Sequence, residues 1–255
     1  MPRLAWQSLT VSIMTVTIRN ALVRGACLAL ALVSAASLAE GAGTVTHLSG
    51  TLSVQRPDGS VRILSQKSEV NPGDLLTTQR DSYAQVNFTD GSSLTLRPNT
   101  QIRIERYHFL QDRPEDDSTL LRLVRGGMRT VTGLIGKRGN PDAYEIGTRS
   151  ASIGIRGSSG DTIDNTSTSC DGVIAGCGTL PAGVYHATYT GSYIMRNEGG
   201  SQMIGEGQFG FAPDPRTAPS LLRGDPGLNL NQFPFALGAG GAAKPPIPQQ
   251  DCVVR

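Results

Sequence analysis

Aromatic side chains are few in this chain: one tryptophan, six phenylalanines and six tyrosines among 255 residues. The tryptophan is Trp6, so a folded core further along must rest on Val, Ile and Leu. Histidine is scarcer still. His47, His108 and His186 stand far apart, with none of the short paired spacings from which zinc sites are usually built. No Gly-x-Ser-x-Gly elbow singles out a serine as nucleophile. No sustained helical period appears after residue 40. The one acidic cluster, Asp112 with Glu115-Asp116-Asp117, lacks the alternation of oxygen ligands about a glycine that calcium loops use. It reads as a solvated loop. Nothing in these residues calls for a cofactor or a metal, and no residue is singled out as catalytic.

Acidic residues are missing altogether from the first 39 positions, which contain Arg3, Arg19 and Arg24. An apolar stretch follows from Ala26 to Leu38, well short of the roughly 20 residues a spanning helix needs. Ser37 and Ala39 supply the small residues that a signal peptidase reads. Residues 1–39 therefore read as a secretory signal peptide cut before Glu40. The leader is long ahead of its apolar core, which leaves Met14 as an alternative start. Cys27 precedes that core, whereas a lipid-attachment cysteine would follow it. Removing the leader takes three of the 23 basic residues and none of the 21 acidic ones, leaving a net charge of −1. No electrostatic case for a nucleic-acid partner survives that change. Three of the four cysteines remain. Cys170 and Cys177 bracket a glycine-containing segment and, in an oxidising compartment, pair as a small disulfide loop. Cys252 is left over, as a free thiol or a handle for intermolecular pairing.

What the chain has in quantity is short alternating segments broken by turns. Thr51–Val54, Val61–Leu64, Ala84–Phe88 and Leu94–Leu96 each put one face toward a core and one toward water. Pro57-Asp58-Gly59, Asn71-Pro72-Gly73 and Asp90-Gly91 separate them, all turn sequences. Strand character returns at Leu120–Val124 and Met128–Val131, with Gly126-Gly127 expected to turn the chain between them. A further pair runs through Tyr144–Ile146 and Ser152–Ile155. The fold expected is all-β, a compact sandwich or β-helix-like roll. Residues 50–63 and 191–204 align without a gap, both reading glycine, strand, turn, Gly-Ser, strand. Residues 158–182 form a Ser/Thr/Gly-rich insertion that includes the cysteine pair, and residues 183–211 continue the hairpins. Residues 212–255 read as a Pro/Gly-rich tail, disordered or extended. Within these stretches Phe209-Gly-Phe211 and Phe233-Pro-Phe235 are apolar islands able to dock.

The order of motifs over residues 43–157 resembles the FecR domain. Those motifs are the opening Gly43–Gly50, Gly73–Thr78, the turn Asp90-Gly91-Ser92 and the corner Ile155-Arg156-Gly157-Ser158. The resemblance extends to residue 211 and implies an all-β module outside the cytoplasmic membrane. FecR-type proteins typically join such a module to a cytoplasmic anti-sigma segment and a membrane helix. Here a cleavable leader stands in their place, so direct relay to a sigma factor is not expected. Asp90 and Arg156 are the positions singled out for binding. The Arg156 guanidinium, at a glycine-flanked corner, is suited to brace neighbouring strand carbonyls or to meet a ligand or partner. Three readings follow. One is a periplasmic or surface-associated binding or scaffold module for an envelope protein or glycan, with no transmembrane span in the mature chain. Another is an accessory regulator acting through a separate membrane protein. The third is a carboxylate-dependent hydrolase whose acids converge only in the fold.

Overall fold

A computed structural model describes residues 41–140, 142–166, 170, 172–175, 177–228 and 230–235. The leader, Cys252 and the end of the Pro/Gly-rich tail lie outside the described residues. Fifteen strands form within them: β1 (Gly43–Ser49), β2 (Leu52–Gln55), β3 (Val61–Leu64), β4 (Glu69–Val70), β5 (Leu75–Thr78), β6 (Tyr83–Phe88), β7 (Ser93–Leu96), β8 (Gln101–His108), β9 (Ser118–Val131), β10 (Tyr144–Gly147), β11 (Ser152–Asp164), β12 (Val184–Asn197), β13 (Gly200–Gly205), β14 (Phe209–Ala212) and β15 (Ser220–Leu221). The only helical pieces among the described residues are single 3-10 turns at Pro114–Asp116 and Cys177–Thr179. The protein is all-β, as its alternating pattern requires.

Hydrogen bonding joins all fifteen strands, and three long ones fold the array back on itself. The first half of β9 pairs β8 on one side and β10 on the other; its second half pairs β7 and β11. The strands β11 and β12 divide in the same way. The result is two sheets that share these strands. One runs β3-β2-β5-β8-β9-β10-β11-β12-β13 and the other β4-β1-β6-β7-β9-β11-β12-β14-β15. In the second sheet Gly126 of β9 pairs Asp164, while at the other end Val131 pairs Ser159. Since β9 enters at Gly126 and β11 near Ser159, the sheets are joined at both ends of this strand pair.

The glycine pair in β9 therefore bends one continuous strand; it does not turn the chain back, as its sequence led one to expect. Gly126 has φ +90° and a Cβ there would lie 2.5 Å from Thr100 Oγ1. Only glycine takes that conformation without strain. The Arg156–Ser159 corner is likewise a register shift within β11, which continues to Asp164. The repeated segments 50–63 and 191–204 become the hairpins β2–β3 and β12–β13, which close the two opposite edges of the first sheet.

One apolar core fills the space between the sheets. Leu52, Leu76, Ile104 and Leu123 from the first sheet belong to the same buried cluster as Val45, Val86, Leu94 and Met128 from the second. The second sheet is covered on its outer face too. Ile163, Tyr185 and Ala187 pack there against Cys170, Val173, Ile174 and Cys177 of the connecting loop, and against Leu228 and Leu230. Cys170 and Cys177 are disulfide-bonded with Cα atoms 5.6 Å apart, and both are buried beneath this loop. The Pro-rich segment stays on the domain as far as Phe235, well beyond residue 212: it adds β15, buries Leu228 and Leu230, and stacks Phe235 on His47.

Candidate functional site

Strand register assembles a row of side chains across the outer face of the second sheet: His47, Gln85, Thr95, Arg129, Asp161, Ala187 and Phe209. Alternation explains their direction. Leu94 and Leu96 of β7 point into the core, so Thr95 and Arg97 point out; Met128 points in, so Arg129 points out. Outward positions normally meet water, where charge costs nothing. Here they are covered.

Arg97, Arg129 and Asp161 are each no more than 2% exposed. Arg129 donates from Nε to Asp161 Oδ1 at 2.9 Å and from Nη2 to Oδ2 at 2.8 Å, a two-point fork. Arg97 Nη2 donates to the same Oδ2 at 3.0 Å, and the Tyr189 hydroxyl does so at 2.6 Å. Both guanidiniums also donate to the Leu230 carbonyl, at 2.6 Å from Arg97 and 3.0 Å from Arg129. The Phe233 ring lies over both, 4.3 Å from Arg97 Cζ and 4.8 Å from Arg129 Cζ. Burial alone would raise the Asp161 carboxyl, but the Arg97 and Arg129 charges and the donated hydrogen bonds hold it below the usual carboxylate range. Burial would lower the Arg129 guanidinium, yet the Asp161 charge leaves it above its ordinary value. Burial, reinforced by the same carboxylate, pushes the Tyr189 hydroxyl up. The cluster thus stays ionised, with one described carboxylate answering two guanidiniums.

The two residues singled out by sequence fall elsewhere. Asp90 is 2% exposed and shapes its own turn: Oδ1 accepts from Ser92 N at 3.0 Å and Ser92 Oγ at 2.6 Å, and Oδ2 from Ile135 N at 3.3 Å. Arg156 is exposed, and its guanidinium makes no hydrogen bond or ion pair with the described residues, so it braces no carbonyl among them. In the acidic loop, Asp117 is buried against Arg138 Nε at 3.0 Å, and no group of three His, Cys, Asp or Glu side chains able to hold a metal forms among the described residues. The histidines stay apart, with His186 buried and its Nδ1 3.0 Å from the Thr162 hydroxyl. The Arg97–Arg129–Asp161 cluster was missed because charge at alternate strand positions looks like a solvated face. The one available signal was the apolar run Leu228, Leu230, Phe233, Phe235 in a segment otherwise suited to disorder.

A two-sheet β module closed by shared strands, with a disulfide-pinned loop over one face, defines the class. Comparison adds a match over part of the chain. Residues 74–175 match the family model described as FecR protein. The matched stretch starts later than the resemblance read from residue 43 and ends inside the disulfide loop. No curated protein matches. Two structures of a candidate anti-sigma factor from Parabacteroides distasonis are similar, at 12% and 13% identity and TM-scores of 0.43 and 0.44. Each match covers 59% of this chain and 60% of the other, so this chain spans about 60% of that protein's length. A cell surface anchoring domain matches at 22% identity over 24% of this chain and 82% of the other, with a TM-score of 0.24. No helix among the described residues is long and apolar enough to cross a membrane.

Proposed function

We propose that the protein is an exported, non-enzymatic FecR-type module that engages an envelope protein by strand addition at the β3 edge. The observation that carries this reading is the edge itself. The strand β3 pairs only with β2 among the described residues, and Val61 and Ile63 on it are 67% and 78% exposed. An edge strand with apolar side chains and open backbone groups is a template for another strand, and proteins usually blunt such edges. A non-enzymatic role is supported by the state of most of the buried carboxylates. Asp74 is paired with Arg56, Asp117 with Arg138 and Asp161 with two arginines, while Asp90 and Asp164 each accept from the backbone and hydroxyl of a residue two further on, Ser92 and Thr166. Export is supported by the 1–39 leader pattern and by a buried disulfide, which persists in oxidising compartments.

A photo-crosslinking amino acid at position 63, with a control at the exposed Arg216, tests the edge in living cells. A single protein adduct from position 63, lost when Val61 is changed to Glu, is expected. Absence of an adduct, or the same adducts from both positions, would exclude this edge as the contact. Sequencing the N-terminus of the envelope-fraction protein tests export, with Glu40 the expected first residue. The FecR match favours one refinement, that the partner is a signalling or transport protein; an adduct containing a membrane-spanning protein would identify the module as an accessory regulator.

A further inference from the structure

We infer that the Arg97–Arg129–Asp161 cluster is a binding site for a peptide ending in an aromatic residue with a free carboxylate, held closed by the chain's own Leu230 and Phe233. The site is a different face from the β3 edge and stands or falls independently of it.

Three observations lead there. Firstly, the floor is over-provided for a structural cover. An apolar patch on this face would do the same sealing at lower desolvation cost, since buried ion pairs are often no better than hydrophobic replacements. Secondly, the described residues of the covering segment give the two guanidiniums a neutral carbonyl, from Leu230, and a ring face, from Phe233. Arg97 Nε is buried and has no hydrogen-bond partner among the described residues. A carboxylate on the oxygen position now taken by the Leu230 carbonyl would add a full negative charge and a second acceptor to bonds whose donors are already ionised, turning a single-acceptor contact into an ion pair. A terminal aromatic residue carries both groups, ring and carboxylate, on one unit.

Thirdly, the resident segment is attached so that it can be exchanged. Residues 231–235 make no backbone–backbone hydrogen bond with the described residues; the last such bond in the segment is local, from Leu230 N to the Leu228 carbonyl at 2.9 Å. Its hold beyond Leu230 is the Phe233 ring on the guanidiniums and on Tyr83, and Phe235 on His47. Gly224 and Gly227 precede it in open space, with Gly227 at φ +96° in a turn closed only locally, by Asp225 Oδ1 accepting from Gly227 N at 2.9 Å and Leu228 N at 3.1 Å. The stretch beyond Leu230, held by side chains alone, opens locally at low cost, and Leu230 itself is held by the carbonyl contact with the two guanidiniums that a ligand carboxylate would replace.

The sequence offers a clean reporter, because Trp6 is the only tryptophan. In the full chain with Trp6→Phe, a Phe233→Trp substitution keeps a ring over the guanidiniums and reports its own release. The probe is acetyl-Ala-Ala-Ala-Phe as the free acid, compared with its C-terminal amide. The expected result is a saturable red shift of emission with the acid, with the amide at least about tenfold weaker, and a loss of the acid's advantage in Arg97→Lys. No shift with the acid, or equal shifts with acid and amide, would overturn the proposal. Should Arg97→Lys fail to fold, the acid–amide comparison in the parent reporter decides alone.

Discussion

Asp161 is the residue on which the second sheet's outer face depends. It accepts hydrogen bonds from Arg97, Arg129 and Tyr189 while fully buried, so its loss would leave two guanidiniums without their shared counter-charge. Removing one partner from a buried charge group costs about 3–5 kcal/mol. Asp161→Asn should lower unfolding stability by that order in urea titration, whereas replacing the cluster by apolar residues should cost far less. His186 makes a separate, pH-dependent statement. Burial pushes its imidazole down to about 3, with the Asp161 charge opposing only in part. The unfolded chain binds this proton near pH 6.5 and the folded one does not, so stability is lost as pH falls below about 6.5, at up to roughly 1.4 kcal/mol per pH unit. Asp164 works the other way, since burial raises its carboxyl and protonation relieves the folded state as pH falls. His186→Gln should flatten the decline between pH 6.5 and 4.5 in a series of melting curves; an unchanged slope would assign the decline to other groups. None of these roles was visible in the residues alone. A histidine or arginine at an alternate strand position reads the same whether its face is wet or roofed.

At the scale of elements, most of the strand pattern was legible because a half-buried strand must alternate. The segments around Val54, Ile63, Val86 and Leu94 lie on β2, β3, β6 and β7, and the turns after Pro57 and at Asp90-Gly91 separate them. What alternation could not show is whether a glycine pair reverses a chain or bends it. Turn and bend demand the same positive φ, and the difference lies in strands far away in sequence: β7 and β11, which pair with the second half of β9. Gly126→Ala tests the bend. The substitution forces an L-residue to φ +90° and drives a methyl against Thr100 Oγ1, whose hydroxyl also donates to the Gly127 carbonyl at 3.0 Å. A strained backbone site of this kind costs about 1–3 kcal/mol. The expected loss lies at the upper end, because the methyl also meets the Thr100 backbone. Thermal unfolding measures it, and a stability equal to the parent would show that the bend tolerates a side chain.

At the scale of the whole molecule, the C-terminal segment ties together parts that are distant in sequence. From β15 it crosses the outer face: Leu228 and Leu230 join the buried apolar cluster of the disulfide loop, Phe233 covers Arg97 and Arg129, and Phe235 reaches His47 on β1. Composition alone favoured disorder here, since prolines and glycines make regular pairing costly. The segment orders without regular pairing, through apolar anchors and ring–cation contacts on a face already built. Its stability should accordingly be local. A cation–π contact between desolvated partners is worth up to about 2 kcal/mol, and Phe233→Ala removes two of them at once. The inter-sheet core, built from Leu52, Leu76, Val86 and Leu123, does not touch that ring and should keep its protection. Limited proteolysis of Phe233→Ala should therefore cut first within residues 223–235, faster than in the parent, and leave residues 41–222 intact. Hydrogen exchange should show the same division, with early opening confined to the outer face. Simultaneous loss of protection in β2, β6 and β9 would mean instead that the segment is part of the domain's cooperative unit, and that closing the outer face is a condition of folding the sandwich beneath it.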